Sequence, residues 1–269
     1  MSSNLVFSPD RVARYSLADQ LCPNARRRER LPILEALKTR LWPGARVLEI
    51  GCGAGTLTRA LLEQGYIVET VDPYFPAPPG VSRHSDFNCV NGIPLSIDAK
   101  FDAIVSLATM HHLATDKDFL TDPLHADIFR IIKPGGVLVI MDVPNPDAAL
   151  QRSGEVAAER AAGVAQFFRD VVDVYSVPQH VAVYLDLQRL GARMAASDGW
   201  TILAGEFREC DWHFCDRATA LTYVERLFNL NIIDGGMVFR EASTALLLDE
   251  AQGEISWSWA LDFLVMQRA

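Results

Sequence analysis

A chain of 269 residues is long enough to bury a sizeable hydrophobic core without disulfides or metals. Its hydrophobic fraction of 49% and charged fraction of 22% are typical of a globular protein, either one large domain or one domain with an insertion. The net charge of −9 disfavours a general nucleic-acid or membrane-surface binder, because phosphate groups repel an acidic surface.

The first 43 residues are predicted to form an N-terminal helical cover, with helices at Pro9–Leu21 and 27–41. An arginine cluster at 26–28 and 30 is interpreted as a solvated helix face rather than a phosphate-binding patch. The first 15 residues contain no apolar signal-peptide core, and the cysteine count of five is odd. We therefore expect a cytoplasmic protein with reduced thiols.

Residues 44–144 alternate between strands and helices. Strands are predicted at Arg46–Ile50, Ile67–Val71, 81–84, Phe101–Leu107 and 137–141, with helices at 56–64 and 118–132. This alternation indicates parallel strands joined by right-handed crossovers. The predicted fold is α/β: a Rossmann-like, doubly wound, mostly parallel sheet of seven strands with helical lid insertions. Residues 181–210 and 254–269 are expected to complete the cofactor-binding core.

The two insertions, residues 145–180 and 211–253, are expected to form a lid that binds substrate. Helices are predicted at 186–197 and 217–230, and strands at 200–207 and 257–267. Aromatic side chains are frequent in the insertions, and small-molecule pockets are mostly apolar with a few polar groups. The candidate substrate contacts are Trp212, Arg217 and Tyr223.

Three alternating glycines, Gly51, Gly53 and Gly55, directly follow the first strand and precede a helix. Glycine is required where the backbone turns sharply and a ligand approaches closely, and such a turn marks the ligand crevice of an open α/β sheet. A dinucleotide fold has the spacing G-x-G-x-x-G. Here the third glycine comes one position early and Thr56 takes its place, which disfavours a nicotinamide oxidoreductase.

With Glu49 preceding the glycines, the pattern E-x-G-x-G-x-G resembles the nucleoside-binding signature of class I S-adenosylmethionine-dependent methyltransferases. Phe101–Leu107 and the turn at 133–136 resemble that family's fourth-strand and fifth-strand motifs, so the resemblance covers roughly residues 45–142. It implies S-adenosylmethionine as the cofactor, S-adenosylhomocysteine as the product, and methyl transfer to a small-molecule acceptor in biosynthetic tailoring. Oxygen, nitrogen and carbon all remain open as the methylated atom.

The resemblance also implies which residues hold the cofactor. Asp72, at the end of the second strand, would accept hydrogen bonds from the ribose hydroxyls. Asp86 would bind the adenine amino group while Phe87 packs on the ring. Tyr15 and the neighbouring arginines are candidates for the methionyl carboxylate. The full set of predicted cofactor contacts is Glu49, Gly51, Cys52, Gly53, Gly55, Asp72, Pro73, Asp86, Phe87, Leu107, Ala108, His112 and Tyr15.

Histidine can accept a proton near neutral pH, so it is the side chain we expect to act as a base if the acceptor needs one. His111 and His112 follow the fourth strand, and His112 is preferred; His213, between two aromatic residues, is a second candidate. No metal is expected, because Cys210, His213 and Cys215 lack a fourth ligand. Asp142 and Asn145 alone do not make a metal site either.

Two alternatives stay open. The acceptor could be a protein or RNA, or the fold could bind S-adenosylmethionine without transferring its methyl group, since fold does not fix function. The expected partner is a small-molecule acceptor, with no general nucleic-acid binding and no membrane. A monomer or a homodimer is expected.

Overall fold

The computed structural model describes residues 9–84, 97–116, 119–120, 122–152, 154–177, 179–180, 182–196, 199–231, 248–251 and 254–269. The chain divides into two compact units, which we name the sheet unit and the helical unit. The sheet unit comprises Arg30–Asn145, Ala182–Arg208 and Leu261–Ala269. The helical unit comprises Met1–Glu29, Pro146–Val181 and Glu209–Ala260.

The regular elements are as follows, in chain order. The helices are α1 (Pro9–Leu21), α2 (Arg27–Lys38), α3 (Thr56–Glu63), α4 (Asp122–Ile131), α5 (Pro146–Gln151), α6 (Val156–Phe167), α7 (Asp173–Tyr175), α8 (Leu187–Ala196) and α9 (Arg217–Phe228). The strands are β1 (Arg46–Ile50), β2 (Ile67–Val71), β3 (Ser82–His84), β4 (Phe101–Leu107), β5 (Ala114–Asp116), β6 (Phe119–Leu120), β7 (Ile132–Asp142), β8 (Trp200–Glu209), β9 (Trp212–Phe214), β10 (Leu248–Ala251), β11 (Glu254–Trp257) and β12 (Ala260–Arg268).

A seven-stranded sheet with the order β3-β2-β1-β4-β7-β12-β8 forms the centre of the sheet unit. The first five strands in this order are parallel, and β12 runs antiparallel to β7. After β1 the chain adds β2 and β3 on one side and then returns to place β4 on the other side. Ligands of open α/β sheets bind at such a switch point, outside the carboxyl ends of the strands. The predicted Rossmann-like, mostly parallel α/β fold is confirmed.

The central strands are buried because helices cover a parallel sheet on both faces. The apolar side chains of β1, β4 and β7 are almost entirely inaccessible to solvent. Helix α8 approaches β12 closely at Gly191, where an added Cβ would lie 2.7 Å from Leu264 Cδ1. Asp186 caps α8 by accepting a hydrogen bond from the amide of Arg189 at 3.1 Å.

Three predicted elements differ clearly from the structure. Strand β7 begins at Ile132, five residues before the predicted strand, and includes the predicted turn at 133–136. The helix predicted at 118–132 begins only at Asp122, because β5 and β6 pair as a two-stranded sheet ahead of it. The strand predicted at 257–267 begins only at Ala260. The preceding strand β11 belongs instead to a three-stranded sheet of order β10-β11-β9, in which Trp257 lies opposite Trp212. Burial of these two aromatic side chains, one on β11 and one on β9, favours that pairing.

The helical unit is built from α1 packed on α9, the helices α5 to α7, and the small three-stranded sheet. A π-helical turn at Phe168–Val172 joins α6 to α7. The interior is aromatic, with Trp212, Tyr223, Trp257 and Trp259 each at most 2% exposed. None of the helices within the described residues has both the length and the apolar character that crossing a bilayer requires.

The turn after β1 generates a first prediction. Gly51 has a φ of +78°, and a Cβ added there would lie 2.1 Å from Thr109 Oγ1. Gly44 has a φ of +89°, with no atom within 4 Å of an added Cβ. We expect Gly44→Ala to lower the free energy of unfolding by about 1–2 kcal/mol through backbone strain alone. Gly51→Ala should lower it further, as measured by urea denaturation.

The difference between the two glycine variants should come from the Thr109 side chain. Combining Gly51→Ala with Thr109→Gly removes the clashing atoms and should return the loss to that of Gly44→Ala. Equal losses for the two single variants would contradict this account of the turn.

Candidate cofactor and catalytic site

The glycine turn lies at the carboxyl end of β1, as predicted. Gly51, Gly53 and Gly55 have φ angles of +78°, +48° and +76°. L-residues with a side chain rarely adopt this left-handed region, so the alternating glycines are a backbone requirement. Helix α3 begins at Thr56, directly after the turn.

Asp72 holds the glycine turn from the neighbouring strand β2. Its carboxylate is 5% exposed, and Oδ2 accepts a hydrogen bond from the amide of Gly53 at 3.0 Å. Oδ1 accepts from the amides of Tyr74 and Phe75 at 2.8 and 2.9 Å. Each carboxylate oxygen can accept more than one hydrogen bond, so these contacts are compatible with a ligand hydroxyl as a further donor.

Cys52 and Pro73 flank this contact. The Cys52 side chain is 5% exposed, and its Sγ lies 3.7 Å from the carbonyl oxygen of Gly53 and 3.9 Å from Asp72 Oδ2. Pro73 follows Asp72 and is half-buried. The predicted adenine contacts, Asp86 and Phe87, lie outside the described residues.

Glu49 joins β1 to α3 through its side chain. It is 2% exposed, and Oε2 accepts a hydrogen bond from Thr58 Oγ1 at 2.5 Å. Burial is the largest influence on this carboxyl and raises its pKa from the ordinary 4.5 to about 8. The negative charge of Asp72 acts in the same direction, whereas the Thr58 hydrogen bond opposes it. These contacts tie the end of β1 to the helix that follows the glycine turn.

The carboxyl end of β4 meets the glycine turn through the backbone that follows it. Leu107 and Ala108 are half-buried, and Ala108 has a φ of +51°, which is uncommon for a residue with a side chain. Its amide donates to the carbonyl oxygen of Met141 on β7 at 2.8 Å. Thr109 then places its hydroxyl 3.5 Å from the carbonyl oxygen of Gly51.

His111 and His112 lie in a 3₁₀ turn after β4, and only His111 is largely buried. His111 is 4% exposed, and its Nδ1 lies 2.5 Å from Oδ1 of the fully buried Asp142. His112 is half-buried, and its ring centroid lies 4.0 Å from that of His111. The sequence alone favours His112 as the base and indicates no role for Asp142 beyond that of an insufficient metal ligand. The sequence signal that could have pointed to Asp142 is its place directly after the predicted apolar strand at 137–141.

A buried polar network occupies the interior of the helical unit. Arg26 pairs through Nε with Glu29 Oε2 at 2.7 Å and donates from Nη1 to the Tyr15 hydroxyl at 2.9 Å. The other Glu29 oxygen accepts from the Trp212 indole at 2.7 Å. Arg26 is only 18% exposed, so the interpretation of this arginine as part of a solvated face is wrong. The sequence could not reveal that Glu29, the partner of Arg26, also binds Trp212, which is 183 residues away from it along the chain.

The three predicted substrate contacts have different surroundings within the helical unit. Trp212 stacks on Trp259 with ring centroids 4.0 Å apart, and Tyr223 is 0% exposed beside it. Arg217 is exposed in the first turn of α9. His213, the second candidate base, is exposed on the opposite side of β9 from Trp212. Their roles in substrate binding and catalysis stay predictions.

The residues at the carboxyl edge of the sheet fit a nucleoside-containing cofactor. A carboxylate is the strongest acceptor for a ribose hydroxyl, and Asp72 is held rigidly beside a turn that has no side chains at 51, 53 and 55. An added Cβ at Gly55 would lie 2.6 Å from Pro78 Cγ, so the turn is also closely packed. Asp72, Gly53 and the backbone at Leu107 and Ala108 stay the predicted groups for holding the cofactor.

The raised pKa of Glu49 predicts a pH dependence of stability. Between about pH 4.5 and 8 the folded protein keeps a proton on this carboxyl that the unfolded chain has lost. Stability should therefore fall as the pH rises through that window, by up to about 1.4 kcal/mol per pH unit from this group. Glu49→Gln should remove this contribution to the pH dependence. The measurement is urea denaturation of the ligand-free protein from roughly pH 5 to 8.5, which covers most of this window.

The matched control is Glu63→Gln, which changes an exposed carboxyl at the end of α3. It should leave the pH dependence of the wild type unchanged. A Glu49→Gln variant whose stability follows the same pH curve as the wild type would contradict the raised pKa.

The aromatic interior generates a second prediction for this region. Trp212→Ala removes a 1% exposed side chain and should lower the free energy of unfolding by about 3–5 kcal/mol. His213→Ala, at the exposed neighbouring position, should change it by less than about 0.5 kcal/mol. Urea denaturation of both variants measures these changes. Unchanged stability in Trp212→Ala would argue against an interior role and for a substrate contact.

Comparison with known proteins places the chain among methyltransferases. Residues 24–194 match the family model described as a methyltransferase domain. The ubiquinone biosynthesis O-methyltransferase of Rhizobium etli is 26% identical over 148 residues, which cover 51% of this chain and 53% of that protein. The corresponding enzyme of Maricaulis maris is 29% identical over 109 residues, covering 37% of this chain and 41% of that protein. The chain thus spans about half the length of these curated relatives.

Among solved structures, the YcgJ protein of Bacillus subtilis superposes with a TM-score of 0.51 at 15% identity. The superposition covers 89% of this chain and 97% of that protein, which supports the fold. The family match spans the glycine turn, Asp72 and the segment after β4. The chain belongs to the methyltransferase-domain family.

Proposed function

We propose that this protein transfers the methyl group of S-adenosylmethionine to a hydroxyl oxygen of a small molecule. The observation that carries the proposal is the contact between the buried Asp72 carboxylate and the Gly53 amide. It fixes a hydrogen-bond acceptor for the ribose beside a turn that the cofactor can approach closely.

Each group at the sheet edge has a proposed part in binding. Asp72 accepts a ribose hydroxyl, and the turn from Gly51 to Gly55 lines the methionyl portion of the cofactor. Glu49 keeps the turn in place through Thr58. Leu107 and Ala108 contact the cofactor through their backbone, which the hydrogen bond from Ala108 to Met141 holds in position.

The acceptor atom is proposed from the relatives and from the histidines. Two of the relatives carry the name O-methyltransferase, which favours oxygen as the methylated atom. A hydroxyl is a weak nucleophile until it loses its proton, so an oxygen acceptor benefits from a base. His111 and His112 are the imidazoles that directly follow β4, and imidazole is the side chain best suited to take that proton.

Held by Asp72 and the glycine turn, S-adenosylmethionine would supply an electrophilic methyl group and leave as S-adenosylhomocysteine, and the acceptor proton would pass to the base. The protein's contribution is alignment of the two reactants, exclusion of water and removal of that proton. The rigid edge formed by the glycine turn and the segment after β4 suits this task.

Cofactor binding tests the proposal. Asp72→Asn removes the charge of the carboxylate but keeps its shape, and should weaken S-adenosylhomocysteine binding by about 2 kcal/mol, or roughly 30-fold. The measurement is calorimetric titration of the folded protein with S-adenosylmethionine and S-adenosylhomocysteine. NADH should not bind, because the glycine spacing differs from that of a dinucleotide site.

Asp102→Asn is the matched control. Asp102 is also a buried acid, and it accepts from the Arg46 amide at 2.8 Å, but it lies at the amino end of β4, away from the cofactor edge. It should leave cofactor affinity unchanged even if it lowers stability. Equal affinities of the wild type and Asp72→Asn, or no binding to the folded wild type, would overturn the proposed cofactor site.

The acceptor class is tested separately by release of S-adenosylhomocysteine. Small phenols and enols should support release, whereas amines of matched size and shape should not. Release with the amines alone would show that nitrogen is the acceptor atom and that the oxygen assignment is wrong.

A further inference from the structure

Asp142 is a carboxylate buried at the end of β7, and N–H groups converge on it. Oδ2 accepts from the main-chain amide of His111 at 3.1 Å, and Oδ1 accepts from the amide of Val143 at 2.7 Å. The third neighbour is the imidazole of His111, with Nδ1 at 2.5 Å from Oδ1. Asp142 itself is 0% exposed. A buried carboxylate is stable only with such partners.

This arrangement selects one tautomer of His111. Both oxygens of Asp142 act as acceptors toward backbone amides, so the short contact is accounted for by a proton on Nδ1 that donates to Oδ1. A neutral imidazole with its proton on Nδ1 carries its lone pair on Nε2. Asp142 therefore makes Nε2 the basic nitrogen of His111.

The backbone of His111 is also fixed. Its amide is held by Asp142, and its carbonyl oxygen accepts from the amide of Val183 at 2.8 Å. The next residue, Tyr184, stacks on the His111 ring with centroids 6.4 Å apart, and Asn145 Nδ2 donates to the Tyr184 carbonyl oxygen at 2.8 Å. His111 is thus buried and held at its amide, its carbonyl oxygen and its ring. The neighbouring His112 is less buried than His111.

We propose that Asp142 is a positioning residue that makes His111, rather than His112, the base that deprotonates the acceptor. This inference rests on the proposed function, because it concerns the proton of the hydroxyl acceptor. It replaces the preference for His112 that follows from the sequence alone.

The proton balance is simple. The acceptor proton moves to His111 Nε2 as the oxygen forms its new bond to carbon. The Nδ1 proton stays on the imidazole, and its hydrogen bond to Asp142 stabilises the positive charge that His111 gains. Asp142 takes up no proton, and His111 returns its own to water after the product leaves.

The tautomer can be measured without any acceptor. Long-range ¹H–¹⁵N correlation spectra of histidine-labelled protein at about pH 8, where an unperturbed imidazole is neutral, distinguish Nδ1–H from Nε2–H. The signal of His111 is assigned by its loss in His111→Gln. We expect Nδ1–H in the wild type and loss of that signature in Asp142→Asn. An Nε2–H tautomer in the wild type would overturn the proposal.

Asp262→Asn is the matched control for the spectrum. Asp262 lies opposite Asp142 in the register of β12 with β7, is 0% exposed, and accepts from the amides of Leu187 and Phe263 at 3.0 Å each. Its replacement should affect stability as Asp142→Asn does, but it should leave the His111 tautomer unchanged. The same spectral change in both variants would assign the effect to general disturbance and reject the positioning role.

Kinetics then separate the two histidines. With a hydroxyl acceptor, His111→Gln should lower kcat on the order of 100-fold, and Asp142→Asn about 10-fold or more, with little change in the KM for the cofactor. His112→Gln should lower kcat less than about 3-fold, as expected for a residue that takes no proton. A larger loss in His112→Gln than in His111→Gln would overturn the inference.

Failure of the proposed function gives a different pattern. A folded protein that shows the Nδ1–H signature but releases no S-adenosylhomocysteine with any acceptor would refute the proposed methyl transfer, and the base role with it. Methyl transfer that continues at the wild-type rate in His111→Gln and Asp142→Asn would leave the function in place and refute only the inference.

Discussion

The contact between Asp72 and the Gly53 amide is the constraint on which the rest of the site depends. It joins the end of β2 to the turn after β1 by a charge-assisted hydrogen bond of 3.0 Å in a buried position. From the other side, Thr109 follows β4 and packs so closely on Gly51 that a Cβ there has no room. The glycine turn is therefore held by both strands that neighbour β1, and its backbone is available to a ligand because it carries no side chains.

Buried acids gather at one edge of the central sheet. Glu49, Asp72 and Asp142 lie at the carboxyl ends of β1, β2 and β7, and Asp262 lies at the same edge because β12 runs antiparallel. Burying a carboxyl group is costly unless hydrogen bonds compensate, and each of these four accepts from an amide or a hydroxyl. Such an accumulation of polar groups in an otherwise apolar sheet marks the edge where cofactor binding and proton transfer are proposed.

The helical unit has a different organisation, with polar groups enclosed by aromatic rings. Arg26 and Glu29 form a buried pair, and Glu29 also accepts from the indole of Trp212. Trp212 in turn stacks on Trp259. Removing one hydrogen-bonding partner from a buried charged group is strongly destabilising. Because Trp212 donates to the buried Glu29, we expect it to be important for the stability of the helical unit. Of the three predicted substrate contacts, Trp212 and Tyr223 therefore lie in the interior of the helical unit.

The sequence by itself determined the α/β fold, the parallel direction of its first strands and the glycine turn, because periodicity and glycine spacing are local properties of the chain. It also placed Asp72 at the end of β2, since strand and acid are adjacent in the sequence. Only the tertiary structure distinguished His111 from His112, because the deciding partner, Asp142, lies 31 residues further along the chain. The hydrogen bond between the Trp212 indole and Glu29 likewise joins residues that are 183 positions apart. Contacts across such separations depend on how the elements pack, which no local pattern encodes.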